Sequence, residues 1–340
     1  MLKSMKTRSR WLAAATRWAI GCCVLAALAV PAPAQSLGGL GGDSEDPLRV
    51  SLVADVAQVR AGEPFYLGVQ LQLDKGWHTY WHNPKDGGDP PRIDWQLPEG
   101  FAIGPLVWPL PKRTVEPGDL VSYGYTNQVI LQALVTPPEE ITATATLQFH
   151  AKVTWQACDE VCVYGTESVT LVVPHGGASL ASPAQGKLAA ARAAAPRPIP
   201  SFLHNVDARW QPATAKRGVV RAGTWTVRFE TAKSQYELQR VFPHAITEGA
   251  ISEPTITSSA SGWTATFAID GLSAKFTPEQ LGALFVLCAK NSDKPAAPIS
   301  FVVTGVTAEK PPTNDTEQPK PVVKPKNASA NGEARERKNR

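Results

Sequence analysis

Apolar and polar residues alternate over short stretches along most of the chain, which is the pattern of β-strands with one buried face. The clearest stretch is 65–73, and a turn at 74–76 separates it from an aromatic strand at 77–82. Residues 83–92 are rich in Gly, Pro and Asp and are predicted to form a loop. Further strands are predicted at 93–95, 106–108, 128–135, 143–157 and 162–173. Because no helical pattern lies between these strands, we predict an antiparallel β-sandwich over residues 48–174.

The composition changes after residue 174. Residues 175–200 are rich in Ala and Pro and are predicted to be an interdomain linker, with a short helix at 187–195. A second, smaller β-rich domain is predicted over 201–306, so that the whole protein is all-β. Its strands are predicted at 223–229, 262–269, 283–289 and 299–306. A short helix is expected to begin at Thr277, because Thr is a common N-cap and the following Pro278 suits the first helical position.

The first 34 residues have the order of a secretory signal peptide. Basic residues precede an apolar run at 18–30, and the sequence PAPA at 31–34 provides a small-residue cleavage site. We predict cleavage after Ala34, with an uncleaved membrane anchor as the alternative. The mature protein would then lie in an oxidising compartment, where disulfides persist. It would begin with a flexible Gly-rich segment, 35–47.

The formal net charge of +4 does not indicate a nucleic-acid-binding protein. Residues 1–34 carry five basic residues and no acidic one, and residues 307–340 carry a net charge of +3. Removing both segments leaves −4 on residues 35–306, which are the residues expected to fold. Residues 307–340 contain almost no large apolar side chains and are predicted to be a disordered tail. No nucleic-acid partner is expected.

Cys158, Cys162 and Cys288 remain after removal of the predicted signal peptide. Four residues along a strand span about 13 Å, whereas the Cα atoms of a disulfide lie within about 7 Å. If Cys158 and Cys162 are bonded, residues 159–161 must therefore turn the chain as the loop of a β-hairpin. The alternation on both strands places both sulfurs on the face away from the core, provided that no bulge intervenes. Closing so short a loop stabilises a fold by only about 2 kcal/mol, which favours a role in exchange.

Two other interpretations of the cysteine pair stay open. It could be a structural disulfide in a non-enzymatic β-sandwich adaptor, or part of a copper-handling module, since thiolates bind Cu(I). His150 would be a poor third copper ligand, because it lies about 26 Å from Cys158 along the same strand. We predict neither a metal site nor a cofactor, and we expect Cys288 to be a buried core thiol in an apolar strand.

Two acidic residues lie in the predicted turn between the cysteines. Asp159 and Glu160 are expected to raise the pKa of a neighbouring thiol, because like charge disfavours the thiolate. A simpler interpretation is that Asp159 and Glu160 are ordinary polar residues of a turn.

Four sequence stretches carry a resemblance to a known family. They are GWHTYWHNP at 76–84, IDW with LPEG at 93–100, WP followed by Pro111 at 108–111, and YGY at 123–125 ahead of the cysteine segment. Together they resemble the N-terminal periplasmic domain of the thiol:disulfide interchange protein DsbD, closest to its ScsB-like branch. The second domain resembles the additional β domain of that branch only weakly, around Phe242 and Pro243.

The resemblance implies an immunoglobulin-like β-sandwich whose cysteine pair carries electrons to periplasmic thioredoxin-like proteins. In the family the second cysteine forms the mixed disulfide with the client, which corresponds to Cys162, and the first, here Cys158, resolves it. A cap loop covers the pair until a partner docks. The residues that correspond to this cap are Tyr123, Gly124 and Tyr125. The strand that carries His78 and Tyr80 is expected to line the other side.

The sequence departs from the family in one respect that concerns its electron supply. The family's membrane domain and its thioredoxin domain have no counterpart in the sequence, so a separate membrane protein is expected to donate electrons. The leading hypothesis is a periplasmic, reductase-like thiol:disulfide exchange protein. The adaptor with a structural disulfide is the alternative.

Overall fold

The structure is a computed structural model that describes residues 46–116, 118–142, 146–213, 221–232, 235–247, 249–290 and 297–307. The predicted signal peptide, nearly all of the predicted flexible N-terminal segment and the predicted tail lie outside these residues. The described chain is nearly all β, as predicted. Neither of its two short helices has the length and apolar character needed to cross a membrane.

The first part of the chain folds as two antiparallel sheets that face each other. Its strands are β1 Leu48–Ala54, β2 Val56–Gln58, β3 Phe65–Leu73, β4 His78–Lys85, β5 Arg92–Gln96, β6 Ala102–Ile103, β7 Lys112–Glu116, β8 Leu120–Thr126, β9 Gln128–Thr136, β10 Thr146–Cys158 and β11 Cys162–Pro174. One sheet has the order β1-β3-β9-β6, and the other has the order β11-β10-β4-β8-β7, with β5 beside β10. Alternate residues of β10 from Leu147 to Trp155 are buried between the sheets, as the sequence alternation predicts.

Several elements of this sandwich differ from the sequence predictions. The aromatic strand continues to Lys85, so the predicted loop begins only at Asp86. Residues 106–108 form a single β-bridge through Val107 rather than a strand. Strands β1, β2, β6, β7 and β8 were missed, because they are short or lack a clear alternation.

The segment between the domains is packed against the sandwich. It contains β12 Leu180–Ala181 and the helix α1 Gln185–Ala193. Leu188 of α1 is fully buried, and its carbonyl oxygen accepts a hydrogen bond from the Gln132 amide at 3.0 Å. The Arg192 guanidinium lies 4.0 Å from the ring centroid of Tyr66. These contacts hold the predicted linker in place instead of leaving it a free spacer.

The second part of the chain is also built from two antiparallel sheets. Its elements are β13 Leu203–Pro212, β14 Gly223–Thr231, β15 Tyr236–Pro243, β16 Ala250–Ile251, β17 Thr255–Ser258, β18 Gly262–Asp270, a 3₁₀ helix Pro278–Gln280, β19 Gly282–Ala289 and β20 Ile299–Thr304. One sheet has the order β13-β14-β18-β16, with β17 beside β18, and the other has the order β15-β19-β20. The four predicted strands correspond to β14, β18, β19 and β20. The predicted helix is a single 3₁₀ turn, which Thr277 precedes.

A continuous apolar interface joins the two domains. Phe242, Leu284 and Val286 of the second domain belong to the same buried cluster as the core of the sandwich. At the edge of this interface the Arg113 guanidinium donates two hydrogen bonds to the Glu253 carboxylate, at 2.8 and 3.0 Å. Because apolar burial and paired polar groups both cross the boundary, the two domains pack as one unit.

Two histidines from different domains meet inside this interface. The ring centroids of His82 and His244 lie 4.7 Å apart, and the indole of Trp81 packs against both. Burial, together with the proximity of His244, lowers the pKa of His82 to about 3, and burial lowers the pKa of His244 to about 4. Both rings are therefore neutral near pH 7.

We predict that Gly124→Ala destabilises the sandwich by roughly 1–3 kcal/mol, because overpacking forces the backbone to shift. A Cβ on Gly124 would collide with the backbone carbonyl oxygen of Thr79 on the adjacent strand β4. The control is Gly177→Ala, since a Cβ on Gly177 would meet no atom within 4 Å. Urea unfolding measures both variants. An equal free energy of unfolding for the two would contradict this account of Gly124.

Candidate redox site

The cysteine pair lies at the tip of the β10–β11 hairpin. The pairing of the two strands is continuous from Thr146–Pro174 to Cys158–Cys162, with no bulge. Cys158 and Cys162 are disulfide-bonded, and their Cα atoms lie 4.1 Å apart. Within the three-residue turn the Asp159 N–H donates to the Val161 carbonyl oxygen at 3.1 Å. The hairpin turn that the spacing of the cysteines requires is therefore present.

The two sulfurs differ in their access to solvent. Strand β11 is at the edge of its sheet, and Cys162 is exposed. Cys158 lies one strand further in, between β11 and β4, and is only 2% exposed. The continuous register places both sulfurs on the sheet face that points away from the core, as predicted. At Cys158, however, other residues bury that face. A partner that approaches the folded protein therefore meets Cys162 first.

Segment 86–89 lies on the face that carries Cys158. A Cβ on Gly87 would contact the Tyr80 ring, and a Cβ on Gly88 would collide with the Gln156 amide, so this segment lies directly against the sheet. The Asp89 N–H donates to Oε1 of Gln156. Gln156 in turn donates from Nε2 to Cys158 Sγ, at 3.6 Å. The glycines thus allow the segment to come close enough to contact Tyr80 and the Gln156 amide, which itself lies beside the buried sulfur.

The second domain contacts the end of β4, just before this segment. The side-chain amide of Asn83 donates from Nδ2 to the Pro243 carbonyl oxygen at 2.6 Å and accepts the Lys85 N–H at Oδ1. Lys85 has a positive φ of 62°, a backbone conformation that is uncommon for a residue other than glycine. Asp86 pairs through its backbone and its carboxylate with Val121 of β8. These contacts fix the position of segment 86–89 above the sheet.

Of the predicted lining residues, His78 is next to the disulfide and Tyr80 packs against His78. His78 is the partner of Cys158 across β4 and β10, and its ring packs edge-on against Tyr80, with the centroids 5.3 Å apart. Nε2 of His78 lies 3.2 Å from the Glu116 carboxylate. Burial raises the pKa of Tyr80, and the charge of Glu116 raises it further. Glu116 and Gln156 were missed from the sequence, because neither belongs to a recognisable motif.

The predicted cap residues occupy a strand rather than a loop. Tyr123, Gly124 and Tyr125 lie in β8, and both tyrosine rings are buried in the core. The Tyr123 hydroxyl donates to Glu253 at 2.9 Å, and the Tyr125 hydroxyl donates to the Pro109 carbonyl oxygen at 2.7 Å. Burial raises the pKa of both tyrosines. Because Gly124 is the residue of β8 that pairs with Tyr80, the side chains of Tyr123 and Tyr125 point to the opposite, core face of the sheet.

The remaining candidates of the sequence analysis lie around or away from the disulfide. Asp159 and Glu160 are exposed in the turn, and the Asp159 carboxylate faces Gly76. Cys288 is partly exposed rather than buried, and its Sγ lies 3.1 Å from Oε1 of Gln239. Nδ1 of His150 lies 2.8 Å from Oγ1 of Thr170. Among the residues that the structure describes, no cluster of three or more His, Cys, Asp or Glu could hold a metal ion.

Comparisons with known proteins agree with this geometry. The family described as "Thiol:disulfide interchange protein DsbD, N-terminal" matches residues 46–174. The crystal structure of the N-terminal periplasmic domain of ScsB from Proteus mirabilis matches with a TM-score of 0.56 and 16% identity, covering 81% of this chain and 100% of that chain. This likeness extends the shared fold beyond the sandwich, into the second domain.

Two other solved structures match with lower scores. A conserved domain protein from Bacillus anthracis has a TM-score of 0.21 and 8% identity, over 80% of this chain and 91% of that chain. The YadV chaperone has a TM-score of 0.20 and 11% identity, over 74% of this chain and 98% of that chain. No curated protein sequence matches the chain. Residues 46–174, with their disulfide at the hairpin tip, form a DsbD N-terminal-like domain.

Proposed function

We propose that the protein is a periplasmic thiol:disulfide exchange protein that passes electrons through Cys158 and Cys162 to or from thioredoxin-like partners. The observation that carries this proposal is the asymmetry of the disulfide, in which an exposed Cys162 is bonded to a buried Cys158. Exchange requires that one sulfur can be attacked and that the other can leave and later return. The likeness to the periplasmic domain of ScsB supports the location.

The proposed reaction moves two electrons in two substitution steps. A thiolate of the partner's dithiol attacks Cys162 Sγ, the bond to Cys158 breaks, and its electron pair stays on Cys158 Sγ as a thiolate. The partner's second thiolate then attacks the mixed disulfide and releases Cys162, so that the partner is oxidised and this protein is reduced. The same steps in reverse reduce a client disulfide. A separate membrane protein is the proposed electron donor.

The surface around Cys162 fits a docking protein. Val161 is 65% exposed and Tyr164 is 63% exposed, so two large apolar side chains flank the exposed sulfur. Aromatic and apolar side chains are enriched at the centres of protein interfaces. Asp159 and Glu160 add negative charge beside them, which would disfavour the thiolate until a partner docks. The resemblance assigned the role of covering the cysteine pair to Tyr123, Gly124 and Tyr125. In this proposal segment 86–89 has that role.

Mild reduction of the folded protein tests the proposal. In a Cys288→Ser background, a dithiol reductant followed by an alkylating agent should label Cys162 in the folded protein, and both Cys162 and Cys158 once the reduced protein is unfolded in the presence of the agent, while the melting temperature changes little on reduction. The reason is that closing this short loop contributes only about 2 kcal/mol. Mass spectrometry counts the labels, and circular dichroism follows the fold. A disulfide that resists the reductant, or a protein that unfolds when the bond opens, would instead support the structural-disulfide adaptor.

A further inference from the structure

The side-chain amide of Gln156 has a defined orientation beside the disulfide. The Asp89 backbone N–H can only donate, so the amide atom that it meets must be the oxygen, Oε1. The amide nitrogen therefore points the other way, toward Cys158 Sγ at 3.6 Å. The hydrogen bond from Asp89 thus distinguishes the oxygen of this glutamine side chain from its nitrogen.

The Asp89 N–H and Gly88 hold the side-chain amide in this position, and Thr79 binds the backbone of the same residue. Gln156 is buried, and Gly88 lies so close to its amide that a Cβ there would collide with it. The backbone carbonyl oxygen of Gln156 accepts a hydrogen bond from the Thr79 hydroxyl at 2.8 Å. A donor that is already positioned costs little further ordering when charge develops near it.

We propose that Gln156 is a positioning residue of the exchange reaction, which donates its amide N–H to Cys158 and stabilises the thiolate that forms there. The inference rests on the proposed function, because it concerns the same disulfide. When a partner's thiolate attacks Cys162 Sγ, the electron pair of the broken bond remains on Cys158 Sγ. A hydrogen bond to that sulfur makes it a better leaving group, since thiols of lower pKa leave faster.

Other groups near Cys158 do not replace this donor. His78 is the neighbour across the sheet, but its Nε2 lies against the Glu116 carboxylate. Tyr80 packs against His78, and segment 86–89 lies over its ring. Asp159 follows Cys158 in the turn and contributes negative charge, which disfavours a thiolate. Within the described part of the chain, the hydrogen bond from a side chain to Cys158 comes from the amide of Gln156, which opposes the acidic surroundings.

Substitution of Gln156 by Glu tests the inference most directly. Gln156→Glu keeps an oxygen for the Asp89 N–H but replaces the donor to Cys158 by a carboxylate. In a Cys162→Ser, Cys288→Ser background, the ultraviolet absorbance of the Cys158 thiolate should then titrate at higher pH. Roughly tenfold less thiolate should be present at neutral pH, and with both cysteines restored the exchange rate with a dithiol should fall by a similar factor.

The control is Gln148→Glu, which adds the same charge on strand β10 far from the disulfide. It should change neither the titration nor the exchange rate. Gln156→Met removes the donor without adding charge. It should shift the thiolate titration and the exchange rate in the same direction as Gln156→Glu, but by less. If the carboxylate of Gln156→Glu impairs folding, Gln156→Met serves as the test variant instead. Thermal melting of each variant separates a positioning effect from a loss of structure.

The outcomes distinguish this inference from the proposed function. If the wild-type protein exchanges with dithiols and both Gln156 variants titrate and react as the wild type does, the role of Gln156 is wrong and the proposed function stands. If the variants shift the thiolate titration but the wild-type disulfide does not exchange, the contact with Cys158 stands and the proposed function is wrong.

Discussion

Replacing Cys158 with serine should trap a mixed disulfide between Cys162 and a thioredoxin-like protein, whereas Cys162→Ser should reduce exchange to the uncatalysed background. The reason is access, because Cys162 is exposed at the edge strand and Cys158 is only 2% exposed. A thiolate can reach the first sulfur in the folded protein but not the second. Without Cys158, no internal thiol resolves the mixed disulfide, and it accumulates.

Trapping in cells and identification of the linked protein by mass spectrometry measure this prediction. Cys288→Ser is the matched control, because Cys288 belongs to the second domain and is not disulfide-bonded. It should leave both the exchange rate and the trapped species unchanged. Equal trapping by the Cys158→Ser and Cys162→Ser proteins would mean that access does not select the attacked sulfur.

Acidification should destabilise the protein by up to about 2.7 kcal/mol for each of two histidines between pH 6.5 and pH 4.5. Burial lowers the pKa of His82 to about 3 and that of His244 to about 4, from 6.5. In this pH range the unfolded chain binds protons that the folded protein excludes. The stability that depends on these two neutral histidines is therefore fully present above pH 6.5. It is lost as the pH falls toward their pKa values in the folded protein.

Urea unfolding at several pH values measures the effect, and His244→Phe tests its origin. The aromatic replacement suits a site that is packed against the rings of Trp81 and His82, and it should remove about half of the pH dependence. His204→Phe is the control, since that side chain is 51% exposed. A pH dependence that is the same in the wild-type and His244→Phe proteins would show that the histidine pair is not its cause.

The position of this pair matters for the redox site. Asn83, the residue after His82, joins the second domain to segment 86–89 through its contacts with Pro243 and Lys85. The segment in turn holds Gln156 beside Cys158. The second domain thus contacts the chain next to the segment that binds Gln156, besides extending the core.

The hairpin and its turn could be predicted from the sequence because they depend on local geometry. Strand alternation and the spacing of Cys158 and Cys162 specify how the two strands pair and where the chain must turn. The motifs of residues 76–125 likewise indicated the domain that the family comparison shows at 46–174. These features could be predicted because each of them involves residues that are close in the chain.

The cover of the disulfide could not be predicted in the same way. Tyr123 and Tyr125 point inward, where Glu253 and Pro109 provide partners for their hydroxyls, and Glu253 is 130 residues from Tyr123. Gln156 meets Asp89 across 67 residues. Sequence pattern and local spacing are enough to predict an all-β chain with a cysteine pair at a hairpin tip. Which sulfur is reachable, and which amide lies beside the other, depends instead on strands and domains that pack together from distant parts of the chain, because that packing sets the burial of each group.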